Sequence, residues 1–245
     1  MANNLPTTAV ILAGGLGTRL RSIVADRPKP MALVADRPFL EHLIGYWHRQ
    51  GIQRFIISIG YLGEMIEAHL GTCCYGSELV YVTEPSPLGT GGALLHCQQQ
   101  LQLKDPFLLL NGDTYFAVQL ADLHQRAFEQ AADWVFSLFP THDDQRYLSA
   151  TLSHEGRLRF GAADAPNKAG EQRWANGGVY WVRPQSLLPF ANELNQKISL
   201  EEKIFPRCQQ LAQRFYGLPS QATFIDIGVP DDYARAQTMP CFCEF

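Results

Sequence analysis

Residues 12–30, "LAGGLGTRLRSIVADRPKP", place Gly14, Gly15 and Gly17 directly behind an apolar run, then Arg19, then Lys29 between Pro28 and Pro30. Glycine has no Cβ, so backbone N–H groups there can approach anionic oxygens closely. The prolines fix φ on either side of Lys29 and limit the freedom of the backbone that carries its ammonium group. Flexible backbone followed by two cations suits two phosphoryl groups. The glycines alone would equally serve a tight turn. Leu20 stands where a G-x-G-x-x-G fingerprint needs its third glycine, and no Gly-Lys-Ser/Thr of a Walker loop is present.

Such residues need elements to hold them. "TAVILA" (8–13) reads as a buried strand, and "PFLEHLIGYWHRQG" (38–51) puts Leu40, Leu43, Ile44 and Trp47 on one helical face before Gly51. "RFIISIG" (54–60), "ELVYVTE" (78–84) and "PFLLLNGD" (106–113) read as strands, "EMIEAHLG" (64–71) and "TGGALLHCQQQL" (90–101) as helices. The alternation predicts parallel strands joined by right-handed crossovers, with ligands at the strands' carboxyl ends, where Asp113 stands. After residue 133 the runs shorten to "DWVFSLF", "LSATLS", "RLRF" and "GGVYWV", which predict antiparallel additions to the same sheet. Helical segments near 184–192 and 199–213 precede a last strand, "ATFIDIG" (222–228), and a helix begun by "VPDDYARAQ". No linker rich in Pro, Gly or Ser and no repeat divides the chain, so one α/β domain over 1–245 is expected.

At 245 residues and 46% hydrophobic content the chain can bury a substantial core. A net charge of −4 provides no global basic field for nucleic acid or an anionic membrane, so any anion must be bound locally. The opening "MANNLPTTAVILAGG" lacks the pattern of a signal peptide, and no apolar run approaches the roughly 20 residues that span a bilayer. A cytoplasmic protein is expected. The six cysteines, Cys73, Cys74, Cys97, Cys208, Cys241 and Cys243, include no CxxC pair and have no His at zinc-ligand spacing, so they read as plain thiols in a reducing compartment. The ending "PCFCEF" reads as a loose terminus.

"LAGGLGTRLRSIVADRPKPM" resembles the signature of the sugar-1-phosphate nucleotidylyltransferases, and the likeness continues in order through "EPSPLGTGGAL", "LLLNGDTYF", "NGGVYWV" and "FIDIGVPDDY". Within that family the chain is most similar to the D-glycero-α-D-manno-heptose 1-phosphate guanylyltransferases, through "RPFLEHLIGYW", "RFIISIGYLGEMI" and "NGGVY". The resemblance implies a Rossmann-like mixed, mainly parallel sheet flanked by helices, of the nucleotide-diphospho-sugar transferase type. It also implies a nucleotide-binding half (8–132) and a sugar-binding half (133–237). By the same resemblance Leu12, Gly14, Gly15, Glu84, Gly89 and Thr90 meet the nucleotide, Arg19 lies near the triphosphate, and Lys29 lies between the reacting phosphates. Asp113 and Asp226 match two carboxylates that hold Mg²⁺, and Gly112, Lys168, Asn176 and Glu201 fall to the sugar. The implied substrates are an NTP, GTP by the closest likeness, and a sugar 1-phosphate; whether copies associate as a homo-oligomer stays open.

The chemistry agrees with that set. A sugar 1-phosphate with a second pKa near ~6 is already largely ionised at neutral pH, so repulsion between anions is the obstacle and a general base is hardly needed. Magnesium takes hard oxygen ligands, one or two carboxylates plus phosphate oxygens, and neutralises charge in an in-line displacement. The sugar region departs from the family. Tyr147-Leu148 replaces the frequent Tyr-Gly, and "FGAADAP" (160–166) replaces Phe-x-Glu-Lys, so Lys168 is the candidate substitute cation. Glu201 reads equally as a solvated helix residue. Mannose, glucose or N-acetylmuramate 1-phosphate as substrate, or a silent homologue, stay open alternatives, although Arg19, Lys29, Asp113 and Asp226 together argue against silence.

Overall fold

The computed structural model describes residues 5–15, 17, 19–20, 23–24, 26–141, 149–160, 172–193 and 196–243. At its centre β1 (Thr8–Leu12) is apolar on both faces, as a strand covered by helices on both sides must be. After a short ladder of β2 (Leu33–Val34) and β3 (Arg37–Pro38), helix α1 (Phe39–Arg49) returns the chain to β4 (Arg54–Ile59), parallel to β1 with Ile11 opposite Ile57. Helix α2 (Gly63–Leu70) and the two-residue β5 (Cys73–Cys74) lead to β6 (Ser77–Thr83), parallel to β4. Helix α3 (Gly89–Leu101) then crosses to β7 (Phe107–Asn111), which pairs with the other side of β1, Ile11 opposite Leu110. The strand order β7-β1-β4-β6 therefore reverses direction at β1. A crevice opens outside the carboxyl ends of strands at such a reversal.

Alternation along β1 sorts the core. Ala9 and Ile11 join the cluster holding Leu40, Leu43, Ile44 and Trp47 of α1, Ile66 of α2, and Leu120 and Leu123 of α4 (Leu120–Glu129). Val10 joins the opposite cluster with Leu94 and Leu95 of α3 and Phe205 of α5 (Phe205–Gln210). The second half extends the sheet as expected: β12 (Trp174–Val182) runs antiparallel to β7, to β9 (Trp134–Pro140) and to β10 (Ser149–Leu152), and β11 (Leu158–Phe160) closes that side.

Three features depart from the sequence reading. Helix α4 and strand β13 (Phe215–Pro219), which pairs in parallel with β9, are elements the sequence reading does not contain. The expected strand 222–228 shrinks to β14 (Phe224–Asp226) and leaves the main sheet to pair with β8 (Thr114–Phe116). Beyond α6 (Pro230–Ala236), the expected loose ending is corrected: Pro240–Cys243 form a short helix, α7. Phe242 is 2% exposed there, its ring 4.9 Å from His42, 5.0 Å from Tyr115 and 5.9 Å from Phe39. An aromatic ring that finds such a slot outweighs the fraying of a terminus. Among the described residues no helix is long and apolar enough to cross a membrane.

The cluster that receives Phe242 also contains Leu20, Ala32, Tyr115, Ile225 and Ile227. Phe242→Ala should lower stability by about 3 kcal/mol, the lower range for a buried Phe→Ala change because a terminal helix can partly collapse into the gap. Thermal unfolding followed by circular dichroism should move down by roughly 6–12 °C, at ~2–4 °C per kcal/mol for a chain of this size. An unchanged midpoint would show that α7 contributes nothing to the core.

Candidate active site

The crevice at the strand reversal is a cleft of about 200 Å³ lined by Leu12, Ala13, Gly15, Gly17, Arg19, Lys29, Pro30, Gly112, Asp113 and Gly228. Its two walls are the segments that follow β1 and β7. They close on each other because the Gly112 N–H donates to the Leu12 carbonyl at 3.0 Å, where a Cβ on Gly112 would stand 2.6 Å from the same oxygen. Gly17 adopts φ +60°, and a Cβ there would lie 3.1 Å from that of Lys29, so the glycine loop lies directly on the lysine. Lys29 opens a single 3₁₀ turn, Lys29–Met31, closed by the Met31 N–H on the Pro28 carbonyl at 2.8 Å. Pro28 and Pro30 therefore set the backbone from which its side chain enters the cleft. Arg19 is exposed at the rim.

The two aspartates, remote in sequence, are joined through backbone. β14 pairs antiparallel with β8 so that Asp226 stands opposite Thr114, and the Ile227 N–H donates to the Asp113 carbonyl at 3.0 Å. Lys29 Nζ then lies 2.5 Å from Asp113 Oδ2 and 3.9 Å from Asp226 Oδ1. The Gly228 N–H donates to Asp226 Oδ1 at 2.7 Å, and the Thr114 hydroxyl to Asp113 Oδ1 at 3.2 Å. Burial pushes the Asp113 carboxyl up, but the charge and hydrogen bond of Lys29, with the Thr114 hydroxyl, outweigh it and hold the group below its ordinary value.

A second group borders the first. A Cβ on Gly14 would collide with Glu84, whose carboxylate accepts from the Ser58 hydroxyl at 3.2 Å and from the Leu88 N–H at 2.9 Å. Burial raises the Glu84 carboxyl above its usual value, only partly offset by those two bonds. Gly89, at φ +69°, starts α3 against the Ile198 carbonyl, which also accepts from the Gly91 and Gly92 N–H groups. Thr90 donates its hydroxyl to Glu201 Oε2 at 3.2 Å and accepts from the Leu200 N–H at 2.9 Å. Glu201 is thus a half-buried, bonded residue at the start of a helical turn, tied also to the Ser199 hydroxyl at 2.9 Å. Asn176 on β12 donates to the Tyr180 hydroxyl at 2.7 Å. Lys168 lies outside the described residues.

Leu12, Gly15, Arg19, Lys29, Gly112 and Asp113 therefore share one cleft, and Asp226 meets it through Lys29 and Gly228. Gly14 and Glu84 adjoin it, whereas Gly89, Thr90 and Glu201 form a separate bonded cluster. Sequence reasoning missed Gly228, Thr114 and Ser58. Gly228 had a legible signal, a glycine two residues beyond Asp226; the other two hydroxyls had none.

Residues 8–240 match the nucleotidyl transferase family. D-glycero-alpha-D-manno-heptose 1-phosphate guanylyltransferase of Aneurinibacillus thermoaerophilus is 37% identical over 94% of this chain and 96% of its own length. The Campylobacter jejuni protein of the same name is 35% identical over 92% of this chain and 96% of its own. The crystal structure of HddC from Yersinia pseudotuberculosis complexed with GMP-PN superimposes with a TM-score of 0.77 at 30% identity, covering 94% of this chain and 98% of that one.

Lys29→Met should reverse the sign of the Asp113 shift, since burial persists while the cation is lost. Carboxyl-carbon NMR should then place Asp113 above about 3.9, the ordinary aspartate value, and not below it. In the native protein the stability this group contributes is present above the unfolded value and lost as pH falls through the lower folded one; in the variant stability should instead rise as pH falls. An Asp113 that still titrates below the ordinary value in the variant would refute the pairing.

Proposed function

The chain belongs to the nucleotidyl transferase family, and from that premise we propose that it transfers GMP from GTP to D-glycero-α-D-manno-heptose 1-phosphate, giving GDP-heptose and pyrophosphate. The observation that carries the reading is the convergence of glycine loop, Lys29, Asp113 and Asp226 on one cleft. Likeness to the heptose enzymes over nearly their whole length supports the choice of sugar.

The ionised oxygen of the sugar 1-phosphate attacks the α-phosphorus of GTP. A P–O bond forms there as the bond to the β-phosphate oxygen breaks, and the electron pair leaves with pyrophosphate. The protein's task is to hold several anionic groups in line. Backbone N–H groups at Gly14 and Gly15 and the guanidinium of Arg19 take the triphosphate. Lys29 has three N–H donors, one of them engaged by Asp113, and it serves the reacting phosphates with the rest. Gly112, Asn176 and Glu201 serve the sugar, with Lys168 as a further cation.

Nucleotidyltransferases of this family typically use a divalent metal, and magnesium is the ion that fits here. The donors are hard carboxylate oxygens, and among the described residues no group of three or more His, Cys, Asp or Glu converges. Two carboxylates with substrate phosphates completing the shell is the set magnesium prefers. Asp113 and Asp226 would hold it, and it would supply charge neutralisation and orientation of the phosphates.

Glu84 supports guanine by chemistry. An ionised carboxylate accepts only, and the guanine edge offers N1–H and N2–H donors together, whereas uracil offers one N–H between two acceptors. Glu84→Gln should therefore narrow the GTP-over-UTP ratio in kcat/KM by roughly tenfold or more, within the ~1–3 kcal/mol that a bidentate base contact discriminates. A ratio that does not move would remove Glu84 from base selection.

The deciding experiment measures pyrophosphate release with magnesium, each NTP in turn, and a panel of sugar 1-phosphates. GTP with the heptose 1-phosphate should give the highest kcat/KM, exceeding mannose 1-phosphate because a site built for the extra hydroxyl leaves polar groups unpaired without it. A better rate with mannose, glucose or N-acetylmuramate 1-phosphate, or with UTP or CTP, would overturn the specificity. Asp113→Asn and Asp226→Asn should each lower turnover by roughly 10²-fold, on the scale of losing one preorganised electrostatic group. Near-normal turnover of both at limiting magnesium would sink the metal assignment.

A further inference from the structure

Tyr180 is 0% exposed in the middle of β12, where an aromatic side chain would ordinarily serve packing alone. Its hydroxyl nevertheless accepts a hydrogen bond from Asn176 Nδ2 at 2.7 Å. Four residues of regular strand span about 13 Å, which would keep these two side chains apart. They meet because β12 changes register against β9 between Asn176 and Tyr180. The irregularity is built from glycine. Gly178 has φ +70°, and a Cβ on Gly177 would collide with the Phe116 ring. The Gly178 N–H also donates to Asn176 Oδ1 at 3.2 Å, so the Asn176 amide is held at both ends.

The same point is reached from β7. Asn111, two residues before Asp113, packs against Gly178, where a Cβ would stand 2.8 Å from Asn111 Nδ2. Asn111 Oδ1 is itself buried there with no hydrogen-bond partner. Burial pushes the phenol up, with the charges of Glu201 and Asp113 adding, beyond what the bond from Asn176 offsets. The hydroxyl is therefore held in its neutral form within the buried junction. The bulge of β12 is thus seated on the strand that leads to Asp113 through Gly178 and Asn111, and the buried Tyr180 hydroxyl holds the Asn176 amide at that bulge.

We propose that Tyr180 is a positioning residue for the sugar phosphate: its hydroxyl fixes the Asn176 amide at the bulge of β12, where Gly178 packs on Asn111, and so sets the sugar contact relative to Asp113. This rests on the reading of Asn176 as a sugar contact. Tyr180 touches neither substrate, so its loss acts through Asn176 and weakens the sugar phosphate while sparing the nucleotide.

The test is a double-mutant cycle of Tyr180→Phe and Asn176→Ala, with GTP and whichever sugar 1-phosphate gives turnover in the panel above. Tyr180→Phe should raise KM for the sugar phosphate about 5- to 20-fold, leave KM for GTP within about twofold and change kcat by less than about threefold. The double variant should be no worse than Asn176→Ala alone, because residues that act through one contact are not additive. Three results overturn the proposal: an unchanged sugar KM in Tyr180→Phe when Asn176→Ala raises it, additive effects in the double variant, or equal losses for both substrates. If Asn176→Ala leaves the sugar KM unchanged in an active enzyme, the reading of Asn176 fails and the proposal with it. If Tyr180→Phe does not fold, 3,5-difluorotyrosine at position 180 keeps the ring, weakens the hydroxyl as an acceptor, and is judged on the same KM split.

Discussion

Two carboxylates at one edge of a sheet repel each other, and the site depends on the way the chain keeps Asp113 and Asp226 together. Unit charges about 4 Å apart near a protein surface interact by about 4 kcal/mol, a large part of the ~5–15 kcal/mol that holds a domain folded. Two devices meet that repulsion. Lys29 stands between the carboxylates as a counter-charge, and the β8–β14 ladder fixes their backbones so that neither can move away. Pro28 and Pro30 restrict the turn that presents Lys29, which keeps the cation where the carboxylates require it. In the proposed reaction a divalent ion held by the two carboxylates would take over part of that counter-charge and free the ammonium to meet phosphate.

The small third core is what makes this arrangement stiff. Leu20 follows Arg19, Ala32 ends the turn of Lys29, Tyr115 follows Thr114, and Ile225 and Ile227 flank Asp226; all five are buried in one cluster. Side chains that reach the cleft therefore alternate with side chains that anchor the same backbone beneath it. Phe242 fills the centre of that cluster from the far end of the chain. Packing of the C-terminal turn and geometry of the charged groups are thereby coupled through contacts of a few ångströms.

The parallel half of the fold was legible because buried strands and amphipathic helices announce themselves by period, as in "TAVILA" and the Leu40–Trp47 face of α1. Helix α4 was legible by the same rule, since Leu120, Leu123 and Ala127 fall at i, i+3 and i+7 and are its buried residues, and it was passed over. β13 escaped because Gly217 and Pro219 read as breakers; the glycine is tolerated where a Cβ would strike Leu138 and Leu152, and the proline ends the strand. The tail was misread because nothing local marks Phe242 as buried. Its slot is made by residues about 125 to 200 positions away, and no window along the chain contains both.

The same contrast separates the two ends of the site. Phosphate is met by backbone N–H groups and fixed charges, whose requirements are strict in sequence: glycine where the chain approaches, proline where a cation must be held. The proposed phosphate end is readable from residues 12–30. The proposed sugar contacts are side chains whose aim depends on what lies behind them. Asn176 points as it does because β12 is irregular at Gly177 and Gly178 and because Tyr180 and Asn111 sit beneath. Thr90 and Glu201 meet only when α3 docks on the segment around Ile198. Each depends on contacts between distant parts of the chain, so substrate choice can diverge through supporting residues while the glycine loop, Lys29 and the two aspartates stay unchanged.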